Sequence, residues 1–243
     1  MSGAALAVRG LSKTFRGLRA VSDVSFDVPG GAIFALIGPN GAGKTTIFNV
    51  IAGVFAPDAG TAEIDGLSLI GLLPDQVCHA GVGRTFQIVK PFGGLSVHDN
   101  VTIGALRSSS GREDAEAKAG EIMRLLDLWS KRRQKAASLT LPDRKRLEVA
   151  RALATGPRLL LLDEVMAGLR PTEVDVMVGV FRELNARTGI TILLIEHVMR
   201  AVMALAQGIV VLHHGEVIAE GKPAEVVSNP RVLESYLGEE TVI

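Results

Sequence analysis

The chain has 243 residues, of which 47% are hydrophobic and 21% are charged. This composition is typical of a globular protein with a substantial core and excludes a disordered chain. Lys plus Arg number 26 and Asp plus Glu number 26, so the formal net charge is zero. A nucleic-acid partner is therefore not expected, because such proteins carry a basic surplus. The lone cysteine, Cys78, excludes a disulfide framework and indicates a reducing compartment.

The sequence shows neither a signal-peptide pattern at its N-terminus nor a membrane-spanning apolar run. Residues 1–10 lack the charged and apolar segments of a signal peptide. No apolar run approaches the roughly 18 residues that a bilayer-spanning helix needs. We therefore expect a soluble protein that reaches a membrane only through a partner.

The predicted elements begin with antiparallel strands. Residues 5–28 alternate apolar and polar side chains, and a Pro-Gly-Gly turn ends this region. The apolar run at residues 32–37 predicts a buried strand. A helix is predicted shortly afterwards, because four apolar residues recur at helical spacing: Ile47, Val50, Ile51 and Val54.

A glycine-rich loop joins that strand to that helix, and its residues are Gly38, Pro39, Asn40, Gly41, Ala42, Gly43, Lys44 and Thr45. Strand, glycine loop and helix are the context of a phosphate-binding P-loop. Glycines let backbone N–H groups turn towards a polyphosphate, and the helix N-terminus adds the positive end of its dipole. Lys44 would reach the outer phosphates, and Thr45 would bind Mg²⁺. The alternative, an ordinary glycine-rich turn, is disfavoured by the flanking strand and helix.

The middle of the chain has a helical character. Beyond a Ser- and Gly-rich loop at residues 108–111, one helix face is predicted from Ile122, Leu125, Leu126 and Trp129. A second helix is predicted over residues 142–154. We interpret residues 92–155 as a mostly helical insert. Its basic residues are interpreted as a solvated helical surface, and they are Lys131, Arg132, Arg133, Lys135, Arg144, Lys145 and Arg146.

The last third alternates strands and helices. Residues 159–162 and 190–195 predict buried strands, a helical stripe lies between them, and residues 209–219 predict a β-hairpin. Alternating elements with continuous apolar strands predict an α/β fold, in which a parallel sheet is covered by helices on both faces.

Two carboxylates follow the strand of four leucines. Asp163 and Glu164 would lie at the carboxyl end of a parallel strand, where open α/β sheets bind ligands. Asp163 would hold Mg²⁺, and Glu164 would polarise the attacking water in phosphoryl transfer. Read alone, they are two acids that start a loop. Gln87 and His197 also lie at predicted strand ends and could orient water or sense a terminal phosphate, although each alone is an ordinary loop residue.

Taken together, these features resemble the ATP-binding subunit of an ABC transporter over nearly the full chain. The resemblance implies a P-loop NTPase (RecA-like) fold with an N-terminal antiparallel β subdomain and an α-helical insert. The chain would be a single domain, residues 1–243. Within it, residues 1–91 and 156–243 would form the core, and residues 92–155 the helical subdomain.

The same resemblance implies roles for individual residues. Phe15 falls where the family has an aromatic residue that stacks on adenine, and Thr46 adjoins the nucleotide. Gln87 matches the Q-loop glutamine, which also approaches Mg²⁺. His197 matches the switch histidine that contacts the γ-phosphate. Residues 159–164 are similar to the Walker B strand, so Glu164, His197 and Gln87 would be catalytic and ATP with Mg²⁺ would be bound.

Finer features resemble importers of branched-chain amino acids, and they lie at residues 81–87, 95–101, 215–221, 229–230 and 236–238. Urea and aromatic-acid importers share much of this pattern. The resemblance implies transmembrane permease subunits and a second ATPase subunit, a paralogue or a second copy, as partners. It also implies an indirect link to a periplasmic or extracellular solute-binding protein. The chain would be cytoplasmic and peripheral on the inner face of the cell membrane.

The sequence departs from the family at its signature, Leu-Ser-Gly-Gly-Gln, which aligns with Leu139-Thr140-Leu141-Pro142-Asp143. Thr140 can supply the hydroxyl that contacts ATP held by the other subunit, but Pro142 has no amide to give. We expect weaker ATP binding across that interface. Val165 replaces a proline, and Arg170 places a cation near the dimer seam. These departures favour an asymmetric assembly with a non-identical second ATPase subunit.

Three other functions compete with a transport motor. A nucleotide-dependent binding module that hydrolyses poorly would explain the altered signature, but Glu164 and His197 disfavour it. A soluble ABC-type ATPase that acts on DNA or ribosomes is disfavoured by the zero net charge and the single P-loop. A GTPase is disfavoured because the sequence has no Asn-Lys-x-Asp guanine-reading motif.

Overall fold

The computed structural model describes residues 3–87 and 90–237, with Tyr236 and Leu237 described by their backbone alone. The described strands are β1 Leu6–Phe15, β2 Leu18–Val28, β3 Ile33–Ile37, β4 Ala59–Ile64, β5 Leu67–Ser68, β6 Val82–Arg84, β7 Leu159–Asp163, β8 Thr191–Ile195, β9 Gly208–His213 and β10 Glu216–Gly221. The described α-helices are α1 Lys44–Ile51, α2 Pro74–His79, α3 Val97–Leu106, α4 Arg112–Leu125, α5 Leu141–Ala154, α6 Pro171–Thr188, α7 Met199–Leu205, α8 Pro223–Val227 and α9 Pro230–Leu237.

A six-stranded sheet in the order β10-β9-β3-β8-β7-β6 forms the centre of the molecule. Its inner strands pair in parallel, and β10 pairs antiparallel with β9 at one edge. The carboxyl ends of β3, β7 and β8 therefore meet at the same edge of the sheet. The predicted mixed α/β fold is confirmed.

A second sheet, in the order β2-β1-β4-β5, is antiparallel throughout its described pairs, as predicted. It packs with α1 on one face of the central sheet, while helices cover the other face. Two hydrophobic cores result, one on each face of the central sheet. Strand β7 contributes to both, because alternate side chains of a strand point to opposite faces. Leu159 and Leu161 enter the core shared with the antiparallel sheet, whereas Leu160 and Leu162 enter the helical core.

Helices α3, α4 and α5 lie within residues 92–155 and pack against one another. The bounds of the helical subdomain at residues 92 and 155 stay a prediction. The prediction that Trp129 continues the helix of Ile122 and Leu125 is wrong, because α4 ends at Leu125 and Trp129 begins a short 3₁₀ turn. The guanidinium groups of Arg124 and Arg132 lie over its ring, at 4.1 and 4.4 Å from the centroid.

Two further expectations near the P-loop need correction. Val54 does not extend the apolar face of α1, because the helix ends at Ile51 and the Val54 side chain is 47% exposed. Gly53, with a φ of +72°, lies just beyond the helix end. The three-residue strand β6 was not predicted. It is short and contains Gly83, where a Cβ atom would lie 2.9 Å from the Pro157 ring.

Among the helices of residues 3–87 and 90–237, none combines the length and the apolar character that crossing a membrane requires. Residues 236–238, part of the importer resemblance, lie beyond the described side chains.

Candidate active site

The predicted P-loop connects the carboxyl end of β3 to the start of α1. Three of its glycines adopt positive φ angles, +147° at Gly38, +79° at Gly41 and +101° at Gly43. Side chains rarely adopt these conformations, so glycine is required. A Cβ atom on Gly38 would also lie 2.1 Å from the carbonyl oxygen of Leu212. The loop is thus fitted closely against β9, and α1 begins directly after Gly43.

Lys44 folds back across this loop. Its side chain is only 6% exposed, and its ammonium donates hydrogen bonds to the carbonyl oxygens of Gly38 at 2.6 Å and Pro39 at 2.7 Å. These bonds close the loop into a ring. The loop thereby combines a cation with a helix N-terminus, and both features favour the binding of phosphate groups.

A cleft of about 480 Å³ lies next to the P-loop. Thr45, Gln87 and Asp163 line it, so the structure brings together the three residues predicted to bind Mg²⁺. Thr45 offers a hydroxyl, Asp163 a carboxylate and Gln87 an amide. The oxygen atoms of all three groups suit a hard cation such as Mg²⁺.

Asp163, at the end of β7, is only 2% exposed. Its Oδ2 lies 3.2 Å from Nη2 of Arg84, which also donates from Nη1 to Asn49 Oδ1 at 2.6 Å. Its Oδ1 is buried without a hydrogen-bond partner among the described residues. Burial raises the pKa of Asp163 above its ordinary value, and the positive charge of Arg84 opposes this. A buried carboxylate oxygen with no partner fits a metal ligand.

Glu164 lies at the centre of the predicted catalytic residues. Its Oε2 accepts a hydrogen bond from Nε2 of Gln87 at 2.8 Å, and its Oε1 lies 3.0 Å from Nε2 of His197. Three separate segments, which follow β6, β7 and β8, therefore converge on one carboxylate. The backbone of Glu164 has a φ of +50°, a left-handed conformation that is uncommon for residues other than glycine. The structure thus holds this carboxylate by side-chain contacts at a strained turn.

Two buried charged residues next to Glu164 were missed in the sequence. Lys145 was expected on a solvated surface, which is wrong: it is 6% exposed, and its ammonium lies 2.9 Å from the carbonyl oxygen of Glu164. Glu196 is 1% exposed, and its Oε1 accepts the backbone N–H of Met166 at 2.8 Å. Helical spacing offered a signal for Lys145, because Glu148 and Val149 share its buried face.

Phe15 occupies the end of β1, at the rim of the antiparallel sheet. Its partly exposed ring meets the edge of Phe55 with a centroid distance of 5.2 Å, and the Lys13 ammonium lies 5.5 Å from its centroid. β1 pairs with β2, which approaches the P-loop where Ala20 faces Gly43. Phe15 therefore offers a partly exposed aromatic ring on the strand that pairs with β2.

The signature residues form their own network at the start of α5. The hydroxyl of Thr140 donates to Oδ2 of Asp143 at 2.6 Å, and the Lys131 ammonium lies 2.5 Å from the same oxygen. Burial acts to raise the pKa of Asp143, but the bonds from Lys131 and Thr140 outweigh it, and the pKa is lowered. Thr140 does not belong to the cleft lining that contains Thr45 and Asp163.

Comparison with family models gives two matches. Residues 21–167 match the model of the ABC transporter family, and residues 216–242 match a model described as branched-chain amino acid ATP-binding cassette transporter. The first match contains the P-loop, Gln87 and the acid pair, and the second begins at β10.

Individual proteins align over nearly the whole chain. LivG of Salmonella typhimurium, named a high-affinity branched-chain amino acid transport ATP-binding protein, is 38% identical over 98% of this chain and 100% of its own length. BraF of Pseudomonas aeruginosa, which carries the same description, is 36% identical with the same coverage.

Solved structures agree with this assignment. The ADP conformation of MJ1267, an ATP-binding cassette of an ABC transporter, superposes with a TM-score of 0.88 at 31% identity and covers 97% of this chain and 99% of its own. A nucleotide-free ATP-binding cassette from an ABC transporter gives a TM-score of 0.87 at 30% identity, covering 96% of this chain and 98% of its own. The chain therefore belongs to the ATP-binding cassette family of ABC transporters, as the ATP-hydrolysing subunit.

Proposed function

We propose that this cassette hydrolyses ATP at the site around Glu164 to power the import of branched-chain amino acids. The observation that carries the catalytic part is the position of the Glu164 carboxylate, 2.8 Å from Gln87 and 3.0 Å from His197. The substrate class is supported by the printed names of the LivG and BraF relatives and by the family match at residues 216–242.

In this proposal the P-loop binds the triphosphate of ATP. Backbone N–H groups of the loop and the Lys44 ammonium neutralise its outer phosphates, while Thr46 adjoins them from the first turn of α1. Phe15 stacks on the adenine with the ring surface that β1 leaves exposed. Thr45, Asp163 and Gln87 would hold Mg²⁺, which would supply positive charge to the phosphate oxygens.

Glu164 then orients and polarises the attacking water. Because phosphoryl transfer depends mostly on positioning and charge stabilisation, the orientation of this carboxylate matters as well as its ability to accept a proton. Gln87 and His197 fix that orientation by contacting its two oxygens. In this proposal His197 also contacts the terminal phosphate, so the loss of that phosphate would change the contacts of the Glu164 carboxylate.

The test of the catalytic proposal is Glu164→Gln. The amide keeps the shape of the side chain but cannot accept a proton from water, so we expect turnover to fall by roughly 10²- to 10⁴-fold. Binding of ATP, measured by equilibrium dialysis, should stay within about twofold of wild type, because the phosphate contacts of the P-loop are unchanged.

Glu183→Gln is the matched control, because Glu183 is an exposed glutamate of α6 that pairs with Arg187. We expect this variant to turn over ATP at the wild-type rate. If Glu164→Gln also turned over ATP at that rate, Glu164 would have no catalytic role.

We further propose that the chain works as one of two ATPase subunits, a paralogue or a second copy, beneath transmembrane permease subunits. The exposed Thr140 and the cleft lined by Thr45 and Asp163 are separate parts of the surface. A second subunit would bring a signature to the P-loop, and the exposed Arg170 would pair with an acid there. A solute-binding protein outside the membrane would act indirectly through the permeases.

The proposed location is cytoplasmic, on the inner face of the cell membrane, without a nucleic-acid partner. Purifying the tagged chain from membranes and identifying its partners by mass spectrometry tests this arrangement. Uptake of radiolabelled leucine, urea and benzoate by cells with and without the gene would separate the branched-chain substrate from urea and aromatic acids.

A second candidate is a nucleotide-dependent binding subunit with weak hydrolysis. The observation that favours it is the Thr140 hydroxyl, which donates to Asp143 and so is engaged within its own subunit. Pro142 removes a further donor from the same loop. Turnover measured in the presence of the permease subunits separates the two candidates, since a binding subunit would stay slow there.

A further inference from the structure

The turn that follows Glu164 is held from two sides by buried charged side chains. The Lys145 ammonium donates to the carbonyl oxygen of Glu164 at 2.9 Å. Two residues further on, the N–H of Met166 donates to Oε1 of Glu196 at 2.8 Å. Both side chains are almost fully buried. The mechanism described above uses neither of them.

The Glu164 turn has a reason to need such contacts. Glu164 has a φ of +50°, and residues in this conformation persist only when their surroundings fix them. The side-chain contacts from Gln87 and His197 orient the carboxylate, but both of those residues lie on the surface. The two backbone contacts are instead buried, where hydrogen bonds to charged groups are short and strong.

Lys145 also adds positive charge to a site that Arg84 and Arg151 already compensate in part. Its ammonium stabilises the ionised forms of three buried carboxyls, those of Glu148, Asp163 and Glu196. A buried ammonium is costly unless hydrogen-bonded and compensated by opposite charge, and this surrounding supplies both. Lys145 belongs to α5, the helix that follows the signature, whereas Glu196 ends β8 beside His197.

We propose that Lys145 and Glu196 form a backbone clamp that positions the carboxylate of Glu164 for catalysis. Lys145 fixes the carbonyl side of Glu164, and Glu196 fixes the amide of Met166 on the far side of the turn. Both are positioning residues, because they act on the backbone and contact no reacting atom. A displacement of α5 relative to β7 withdraws the ammonium and releases the turn, so the clamp makes the catalytic carboxylate sensitive to the position of the helical insert.

The inference rests on the proposed catalytic role of Glu164, and its experiment measures kcat, KM and ATP affinity for the full chain. Lys145→Met and Glu196→Leu each remove one contact while keeping side-chain bulk. We expect kcat to fall by roughly ten- to a hundredfold, the loss that a small misplacement of a catalytic group produces. KM and the dissociation constant for ATP should stay within about twofold, because the P-loop contacts are unchanged.

A conservative variant and a matched control separate positioning from a general structural role. Glu196→Gln keeps an oxygen that can accept the Met166 N–H, so it should recover kcat to within about threefold of wild type. Lys135→Met makes the same substitution as Lys145→Met at an exposed lysine of the insert and should leave kcat unchanged. If Lys145→Met does not fold, Lys145→Gln takes its place with the same expected loss, because its amide nitrogen is one bond nearer the backbone than the ammonium and falls short of the Glu164 carbonyl oxygen.

The clamp also predicts non-additive effects, because both contacts hold one short stretch of backbone. The double variant Lys145→Met/Glu196→Leu should lose less kcat than the product of the two single losses. Wild-type kcat in both single variants, or equal losses in kcat and ATP affinity, would overturn the clamp. Glu164→Gln is measured alongside: normal turnover there refutes the role of Glu164 itself, whereas a loss there with normal Lys145→Met and Glu196→Leu variants refutes the clamp alone.

Discussion

At the scale of single residues, the site concentrates buried charge. Burial raises the pKa of Glu148, Asp163 and Glu196, and in each case the positive charge of Lys145 opposes the shift. Charged groups this deep are retained only where pairing and hydrogen bonds offset the loss of water. The free-energy cost of burying charge is therefore concentrated next to the carboxylate of Glu164, which is proposed to act in catalysis. Acids with shifted pKa values are expected at an active site.

Glu196 gives a pH-dependent prediction. Burial raises its pKa to about 7 from the ordinary 4.5, with Glu164 adding to the shift and the Met166 N–H and Lys145 opposing it. Between these values the folded state holds a proton that the unfolded state has lost, so the free energy of unfolding falls as pH rises through this window. Glu196→Gln has no such proton to lose. We expect it to gain stability over wild type at pH 8, on the order of 3 kcal/mol.

Urea denaturation of both proteins at pH 4.5, 6 and 8 measures this difference. The advantage of the glutamine variant should be smallest at pH 4.5, grow towards pH 7 and stay constant above it. A stability difference that does not change with pH would show that Glu196 does not titrate in this range.

At the scale of elements, the start of α5 explains how the altered signature is tolerated by the fold. Pro142 lies in the first turn of the helix, where a missing N–H leaves no helical hydrogen bond unmade. Asp143 accepts hydrogen bonds from the Thr140 hydroxyl and the Lys131 ammonium, so these polar groups find their partners within the same subunit. The altered signature therefore leaves helix formation intact, and its effect falls on contacts with a nucleotide held elsewhere.

Pro142→Gly is the prediction at this scale. The glycine restores an N–H at the signature, and a hydrogen bond to a charged group contributes about 1.5–3 kcal/mol. We expect ATP-dependent association of ATPase subunits to strengthen by roughly ten- to a hundredfold, measured by analytical ultracentrifugation with ATP. Pro223→Gly is the matched control, because Pro223 also lies in the first turn of its helix, α8. Unchanged association in Pro142→Gly would contradict the proposed role of this amide.

At the scale of the whole molecule, the P-loop joins the two cores. It leaves β3 of the central sheet, lies against Ala20 of the antiparallel sheet at Gly43, and continues into α1, whose Ile47 and Phe48 are fully buried. A ligand bound at this loop contacts elements from both sheets. Binding should therefore stabilise the entire fold and not only the loop.

A thermal-shift measurement tests this coupling. ATP at about 100 times its dissociation constant stabilises the folded state by about 2.7 kcal/mol, which corresponds to a rise of roughly 5–10 °C in Tm for a chain of this size. Lys44→Ala should abolish most of the rise, whereas Lys135→Ala, at an exposed lysine, should retain it. Equal shifts in both variants would mean that ATP binds away from the P-loop.

Much of this protein could be predicted from local sequence patterns. Three segments each specify a local conformation and the polar residues that follow it: the glycines of the P-loop, the four leucines before Asp163 and the strand before His197. Trp129 and Val54 were misplaced, because helical periodicity continues in the sequence after the helix has ended. Strand β6 was missed, since three residues are too few for a periodic pattern.

The amino-acid order alone determined the α/β fold, the P-loop and the acid pair, since each of these depends on residues that are neighbours along the chain. The tertiary structure alone decided that Lys145 and Glu196 are buried beside Glu164, and that Thr140 donates to an acid of its own subunit. Burial and the choice of a hydrogen-bond partner depend on which segments pack together, and α5, β7 and β8 come from distant parts of the chain. A lysine in a run of basic residues is therefore predicted to be exposed, and only the packing of a second element against it shows that it is buried.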